Sequence, residues 1–511
     1  MSRRVAAGAA AGLSAGAAWL LAPSTVSAHA LGGTFQLPVP LWLYLAGAAI
    51  AVAASFVVTA VLARERSERS GYPTRPVPEG VATVMRLVLR AVGLAWWYGA
   101  VAVGFLVGDI SPLPAVLLWI GIWVGLPIAA VLLGNPWPSM SPFRTTYAAL
   151  EWIARRLGAR GLDLGLPYPR GVARWPAFAL LAIGIWIELI LPGREVALTV
   201  ALLLSAYTLL TLTGMVAFGQ IAWLRNAELF EVELAWFGRV GPIGRRSVSG
   251  ELCEGCDEGC DASRCIDCPE CSTAADDAER VPVLRPWVAG LTDVTRAGWS
   301  DAAFIVLALA GVSFDGLQET GFGAWLLDVL LPPVQGVMGT TATTFLLVDT
   351  LAFASVFVAF FAAFALVVAV THRIGEHGRS SIGATAGVYA ATLLPIAGGY
   401  LIAHYLTLVL QGAVWLPELL ADPLNSLAPE LSWIPMSGVW YLSVGSIVIG
   451  HVAAIVLAHR LTLRDAAAHA VRAGLPMVAL MVGYTILSLW IIAQPIVVEP
   501  GGGGAGAGFL P

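Results

Sequence analysis

Ten long apolar runs divide the chain, and they constrain its fold more than any other feature. Most of them have about the 20 apolar residues that a helix needs to cross about 30 Å of hydrocarbon. We therefore predict an all-α integral membrane protein with about ten transmembrane helices. The runs lie at 41–63, 91–107, 113–133, 176–192, 196–224, 300–312, 345–371, 384–410, 439–458 and 475–493.

The positive charge is distributed unevenly between the gaps that separate these runs. All 28 basic residues are arginine, and all but Arg3, Arg4 and Arg194 lie in every second gap. Because short loops rich in basic residues stay in the cytoplasm, those gaps are predicted to be cytoplasmic and both termini external. We expect a multi-pass protein of the plasma membrane with the lipid bilayer as its surroundings. The arginines follow the membrane edges, which excludes a basic patch for nucleic acid.

The two ends of the chain carry further predictions. Residues 1–28 have the basic start, apolar stretch and small-residue cleavage site of a signal peptide, although an uncleaved first helix is the alternative. Cleavage would make His29 the first residue, with an amine and an imidazole that can bind copper, unless its position is chance. The predicted order continues with a first membrane half (29–224), a cytoplasmic loop (225–299) and a second half (300–493). A Gly-rich tail, 494–511, is predicted to be disordered.

Six cysteines in the predicted cytoplasmic loop form the sharpest metal-binding pattern. Their spacing is C-x2-C-x3-C-x4-C-x2-C-x2-C, and such closely spaced thiolates suit zinc or an iron–sulfur cluster. The alternative is an acidic, disordered loop with free thiols. A closed thiolate site has no open position for a substrate, so its role would be structural or regulatory. The ligands would be Cys253, Cys256, Cys260, Cys265, Cys268 and Cys271.

Ionisable residues within apolar spans are expensive to bury and are functional candidates by default. The candidate catalytic residues are Glu188, Asp315, His404 and His451, and the candidate membrane metal ligands are His404, His451 and His459. A carboxylate–imidazole cluster at the external side could hold a divalent metal that activates water. The alternatives are histidines that only bond neighbouring helices and acids, such as Asp109 and Asp349, that lie at wet helix ends.

Short motifs spread from residue 28 to about 460 resemble a family of multi-pass membrane proteins named for fenitrothion hydrolase. The hexacysteine stretch is not part of that pattern. The resemblance implies hydrolysis of phosphotriesters but brings no catalytic residues with it. The motifs are AHALG at 28–32, LPVP at 37–40, GNPW at 134–137, YP at 168–169, WPA at 175–177, WIEL at 186–189, SFDGL at 313–317, AHY at 403–405, DPL at 422–424, GHV at 450–452 and AHR at 458–460.

Two functions are therefore expected, with a small molecule or a metal ion as substrate. The first is a membrane hydrolase of organophosphorus triesters, in which a metal at His404 with Glu188, Asp315 or His451 activates water. The second is copper or other metal handling, in which imidazoles at His404, His451 and His459 form a ladder across the membrane. A weaker third interpretation makes His404 and His451 ligands of a haem.

Overall fold

The computed structural model describes residues 35–36, 38–62, 72–247, 266–268, 280–292, 294, 297–375, 381–465 and 469–498. Three predictions lie outside these residues: the signal peptide with His29, the Gly-rich tail, and five of the six cysteines. Those cysteines are Cys253, Cys256, Cys260, Cys265 and Cys271. Cys268 is described and is half-buried.

Almost all regular structure in the described residues is helical. In chain order the helices are α1 Leu41–Leu62, α2 Glu79–Leu106, α3 Leu113–Leu132, α4 Trp137–Met140, α5 Pro142–Arg156, α6 Trp175–Leu189, α7 Ala197–Phe218, α8 Gln220–Asn226, α9 Leu229–Gly238, α10 Trp299–Gln318, α11 Gly321–Met338, α12 Ala342–Ile374, α13 Ile382–Ala421, α14 Met436–Asp465 and α15 Ala470–Ile496.

Ten of the described helices are long and apolar enough to cross a membrane, which confirms the all-α membrane class. The set differs from the predicted spans at two places. The fourth predicted span is the 15-residue helix α6, which is shorter than the others. The 18-residue helix α11, which carries Pro332 and Pro333, is long enough to be counted among the ten although no predicted span covers it.

Short strands join the ends of the helices. Strand β1 (Phe35–Gln36) pairs in parallel with β5 (Val497–Val498), so the two ends of the described bundle lie on one side. Strands β2 (Arg75–Pro76), β3 (Ile243–Ser247) and β4 (Arg280–Leu284) form an antiparallel sheet in the order β2–β4–β3. We call the side of the bundle on which this sheet lies the arginine-rich face.

Two helices form the centre of the bundle. The most apolar windows of α10 and α13 are 83% and 78% buried inside the protein, whereas the figure for α11 is only 6%. A helix that is apolar all round and buried is typical of an interior position. Side chains projecting from α10 and α13 therefore meet inside the protein, whereas most side chains of α11 lie on its outer surface.

The predicted fifth span, 196–224, is interrupted by a turn. Helix α7 ends at Phe218, because Gly219 has a φ of +81°, a conformation that favours glycine. Helix α8 then runs back along α7. The Trp223 ring stacks on Phe218 with centroids 5.9 Å apart, and it lies where a Cβ at Gly214 would fall.

Helix α9 returns to the face from which α8 came. Its last residue, Gly238, packs against Asn135, and Gly241 packs against Gly134 at the end of α3. We call the segment 220–238 the re-entrant hairpin, because it enters and leaves the bundle on the arginine-rich face. The sequence predicted that residues 225–238 belong to a cytoplasmic loop; the structure instead buries nearly every residue of α9.

Candidate functional site

A carboxylate, an imidazole and a phenol meet between the two central helices. Asp315 lies near the end of α10, and His404 and Tyr405 lie within α13. The Nε2 atom of His404 is 2.9 Å from Asp315 Oδ2, and the Tyr405 hydroxyl donates to the same oxygen at 2.8 Å. The side chain of His404 is 1% exposed and that of Asp315 is 18% exposed. These three titratable side chains form one hydrogen-bonded group inside the bundle.

A second carboxyl group lies beside this trio. Glu188, near the end of α6, accepts a hydrogen bond from the Trp123 indole of α3. Glu188 follows Ile185 by three residues, and the Ile185 side chain packs against Gly311 of α10, one turn before Asp315. Trp123 belongs to a π-helical stretch of α3, Val116–Gly125, and such irregular stretches are frequent at functional sites.

Tyr400, one turn before His404 on α13, completes this cluster. A Cβ at Gly316 would lie 3.1 Å from the Tyr400 hydroxyl and 3.3 Å from His404 Cε1, so the missing side chain lets these rings approach α10. The Tyr400 hydroxyl is buried without a hydrogen-bond partner among the described residues. We call Asp315, Glu188, His404, Tyr405 and Tyr400 the Asp315 cluster.

A second buried acidic group lies at the tip of the re-entrant hairpin. Glu228 is the N-cap of α9, and it accepts from the backbone N–H groups of Phe230 (3.1 Å) and Glu231 (2.6 Å). It also accepts from the Tyr207 hydroxyl at 2.6 Å and the Trp137 indole at 3.0 Å. An acid at a helix N-terminus also complements the helix dipole.

An ion pair fixes the first turn of α9. Arg144 of α5 donates to both oxygens of Glu231, at 3.2 Å from Nε and 2.8 Å from Nη2, and both side chains are buried. A two-pronged guanidinium–carboxylate pair is strong and directional. We call Glu228, Glu231, Arg144, Tyr207 and Trp137 the Glu228 cluster.

The third glutamate of the hairpin differs from the other two in its partners. Glu233, in the middle of α9, is buried, and its Oε2 atom has no hydrogen-bond partner among the described residues.

Arginines close the hairpin at the arginine-rich face. Arg285 donates to the carbonyls of Gly238 (2.9 Å) and Gly241 (3.1 Å), so it satisfies oxygens at the end of α9, and it pairs with Asp267. Arg239 donates to the carbonyl of Gly290 at 3.2 Å, and burial lowers its pKa. This anchor holds residue 267, immediately before Cys268, against the end of the hairpin.

The three histidines predicted as a ladder lie at successive levels of the bundle. Ser443 of α14 donates to the carbonyl of Ala403, so His404 lies near the level of Ser443. His451 is eight residues further along α14, about 12 Å at a rise of 1.5 Å per residue. Its Nδ1 donates to the carbonyl of Ile447 at 2.8 Å, and its other ring nitrogen has no partner among the described residues. His404 and His451 are therefore not placed as two ligands of one metal ion or haem.

His459 is a further eight residues along α14 and packs edge-on against Phe56, with ring centroids 5.5 Å apart. Neither of its ring nitrogens has a hydrogen-bond partner within the described chain. In that part of the chain no three His, Cys, Asp or Glu side chains converge to hold a metal ion. The donor groups of the Asp315 cluster thus do not fit the predicted divalent metal.

Two predicted acids lie away from the site. Asp109 is exposed in the short connection between α2 and α3, and Asp349 is half-buried on α12. The exposed Asp109 agrees with the interpretation of an acid at a wet helix end, whereas Asp349 lies two turns inside α12. Glu188 and Asp315, by contrast, belong to the same cluster as His404.

The hairpin glutamates are functional candidates that sequence reasoning missed. Glu228, Glu231 and Glu233 lie in an otherwise apolar run, ELFEVELAWFG at 228–238, without an arginine between Arg225 and Arg239. Three acids in an apolar, arginine-free stretch were the available signal. The predicted cytoplasmic loop covers this whole segment, so its acids are not predicted to be buried.

Known proteins give no further information on these residues. The chain matches no protein-family model, no curated protein and no solved structure.

Proposed function

We propose that the protein is a membrane transporter that carries protons through its helical bundle, with Asp315 as a proton-binding group. One observation carries this proposal: Asp315 Oδ2 meets both His404 Nε2 and the Tyr405 hydroxyl inside the bundle. Carboxyl, imidazole and phenol groups can each give up and accept a proton. Ionisable groups in the interior of a membrane bundle are typical of proton relays.

The neighbours of Asp315 support the same function. Glu188 lies within electrostatic range of Asp315. Repulsion between two carboxylates disfavours the state in which both are ionised, so such a pair tends to hold a proton. The Tyr400 hydroxyl faces the same space without a partner, which leaves a hydrogen-bonding position for a water molecule. A chain of such groups can pass a proton along without large movements of the helices.

Proton flux into vesicles tests this proposal. Purified protein is reconstituted in vesicles that contain a pH-sensitive dye, and a potassium diffusion potential drives protons inward. We expect flux well above that of protein-free vesicles, and a fall of at least tenfold for Asp315→Asn. Asp109→Asn is the matched control, because Asp109 is exposed and outside the cluster. Equal flux in wild-type and protein-free vesicles would refute the proposal.

A hydrolase is the second candidate, and the contact between His404 and Asp315 favours it. A carboxylate that orients an imidazole is the usual arrangement of a general base that activates water. Among the described residues the donors of the cluster do not converge on a metal site, so in this candidate His404 itself is the base that activates water. Release of nitrophenol from fenitrothion by the wild type, and its loss in His404→Gln, is the expected result. Hydrolysis that survives the substitution would exclude the His404–Asp315 pair as its base.

A further inference from the structure

The apolar stripe of helix α5 is covered by the protein over its first half only. Phe143 and Tyr147 are buried, with 0% and 3% of their surface exposed. The stripe continues at helical spacing with Leu150, Ile153 and Leu157, which are 42%, 45% and 83% exposed. Contiguous apolar surface of this kind marks a site of interaction with a protein or a membrane.

The uncovered part of the stripe lies beside the end of α7, one of the ten membrane-length helices. The chain that follows α5 is bonded to the last turn of α7, where the Leu164 N–H donates to the Val216 carbonyl at 2.8 Å. The same chain folds back on α5, since a Cβ at Gly161 would lie 3.8 Å from Glu151 Oε1. The exposed stripe is therefore held at the level where a membrane-crossing helix ends, on the arginine-rich face.

Two arginines without an acidic partner border the stripe. Arg156 and Arg160 are exposed and form no ion pair with any described residue, whereas Arg155 pairs with Glu151 at 2.9 Å. The guanidinium of Arg156 lies 5.0 Å from the centre of the Trp152 ring, which is 60% exposed. The ring attracts the cation through its π electrons, and the N–H groups of the guanidinium stay available for an anion.

We propose that this part of α5 binds an anionic phospholipid of the surrounding bilayer. The headgroup phosphate meets the guanidinium groups of Arg156 and Arg160, whose N–H groups match phosphate oxygens in geometry. An acyl chain lies along the exposed apolar stripe, and Trp152 sits at the interface as tryptophan does in membrane proteins. A basic amphipathic helix at the membrane surface is drawn to anionic lipid by both features. We call Leu150, Trp152, Ile153, Arg156, Leu157 and Arg160 the α5 lipid surface.

The covered half of α5 gives this surface a fixed frame. Arg144 is paired with Glu231 of the re-entrant hairpin, and Thr146 Oγ1 is 2.7 Å from the Tyr98 hydroxyl of α2. The surface is thus held in place before lipid arrives, which lowers the entropic cost of binding. Because a ligand that binds only the folded state stabilises it, anionic lipid on α5 should also stabilise the hairpin that α5 holds.

The first test uses brominated acyl chains, which quench the fluorescence of a tryptophan that they contact. The protein is reconstituted in phosphatidylcholine vesicles with a minor fraction of brominated phosphatidylglycerol or, in parallel, brominated phosphatidylcholine. The quenching that is lost in Trp152→Phe belongs to Trp152, and we expect it to be stronger with phosphatidylglycerol. Each arginine near an anionic headgroup contributes about fivefold in affinity, so the double variant Arg156→Gln/Arg160→Gln should weaken this preference about thirtyfold.

The matched control is Arg75→Gln, because Arg75 is an exposed arginine of strand β2 on the same face and outside the α5 lipid surface. It should keep the wild-type preference. Equal quenching of Trp152 by both brominated lipids would refute recognition of the headgroup. No quenching by either lipid would show that α5 does not meet the bilayer. A loss in Arg75→Gln as large as in the double variant would assign the preference to the whole face and overturn the proposed surface.

A second measurement reads the effect of lipid on the fold. Phosphatidylglycerol is added to the protein in a neutral detergent, and the midpoint of thermal unfolding is recorded beside that with phosphatidylcholine. We expect phosphatidylglycerol to raise the midpoint of wild type and of Arg75→Gln, and to leave that of Arg156→Gln/Arg160→Gln unchanged. Equal increases in all three proteins would contradict a stabilising lipid at these two arginines.

Discussion

The Asp315 cluster and the Glu228 cluster both bury carboxyl groups, but their partners differ in kind. Asp315 meets an imidazole and a phenol, which can give and take protons. Glu228 and Glu231 meet two backbone N–H groups, an indole and a guanidinium, which only donate, and Glu228 accepts from one phenol, that of Tyr207. The first set of partners suits a change of protonation, and the second suits a fixed structure. Burial alone therefore does not identify a functional acid; the chemistry of its partners does.

Removal of Arg144 should produce the largest effect, because it turns a structural carboxylate into an unpaired buried charge. We expect Arg144→Ala to lower the free energy of unfolding by about 3–5 kcal/mol, as breaking a buried ion pair does. The measurement is unfolding in mixed micelles followed by tryptophan fluorescence. Arg155→Ala is the control, since that arginine pairs with Glu151 at the surface and is 64% exposed. Equal losses in both variants would contradict a special role for the buried pair.

Removal of one hydroxyl from the Glu228 cluster should have the smallest effect. Tyr207→Phe deletes the bond to Glu228 and the bond that Tyr207 accepts from the Leu229 N–H at 3.0 Å. A loss of about 1–2 kcal/mol is expected for hydrogen bonds of this kind. Tyr168→Phe serves as the comparison, because its exposed bond to the Ala173 carbonyl can be replaced by water. If Tyr207→Phe leaves the free energy of unfolding unchanged, Trp137 and the helix cap alone hold the hairpin tip.

The apolar runs predicted the class of fold and most of the spans, because the apolar residues within each run alone decide whether it is stable in hydrocarbon. They also indicated Asp315 and His404 as candidates on one side of the membrane. The contact between them could not be predicted, because it depends on which faces of α10 and α13 turn inward. Gly316 has no side chain, so Tyr400 and His404 can lie close to α10. The importance of this glycine is visible only when the packing of the two helices is known.

The sequence by itself determined that this chain is a bundle of membrane-crossing helices, because the transfer of a segment from water to hydrocarbon depends on the residues within that segment. Only the tertiary structure decided that residues 220–238 re-enter the bundle. Three glutamates in a short apolar segment are tolerable inside a bundle only if distant residues satisfy most of their oxygens. Tyr207, Trp137 and Arg144 do this for two of them, and the Oε2 atom of Glu233 is left without a hydrogen-bond partner among the described residues.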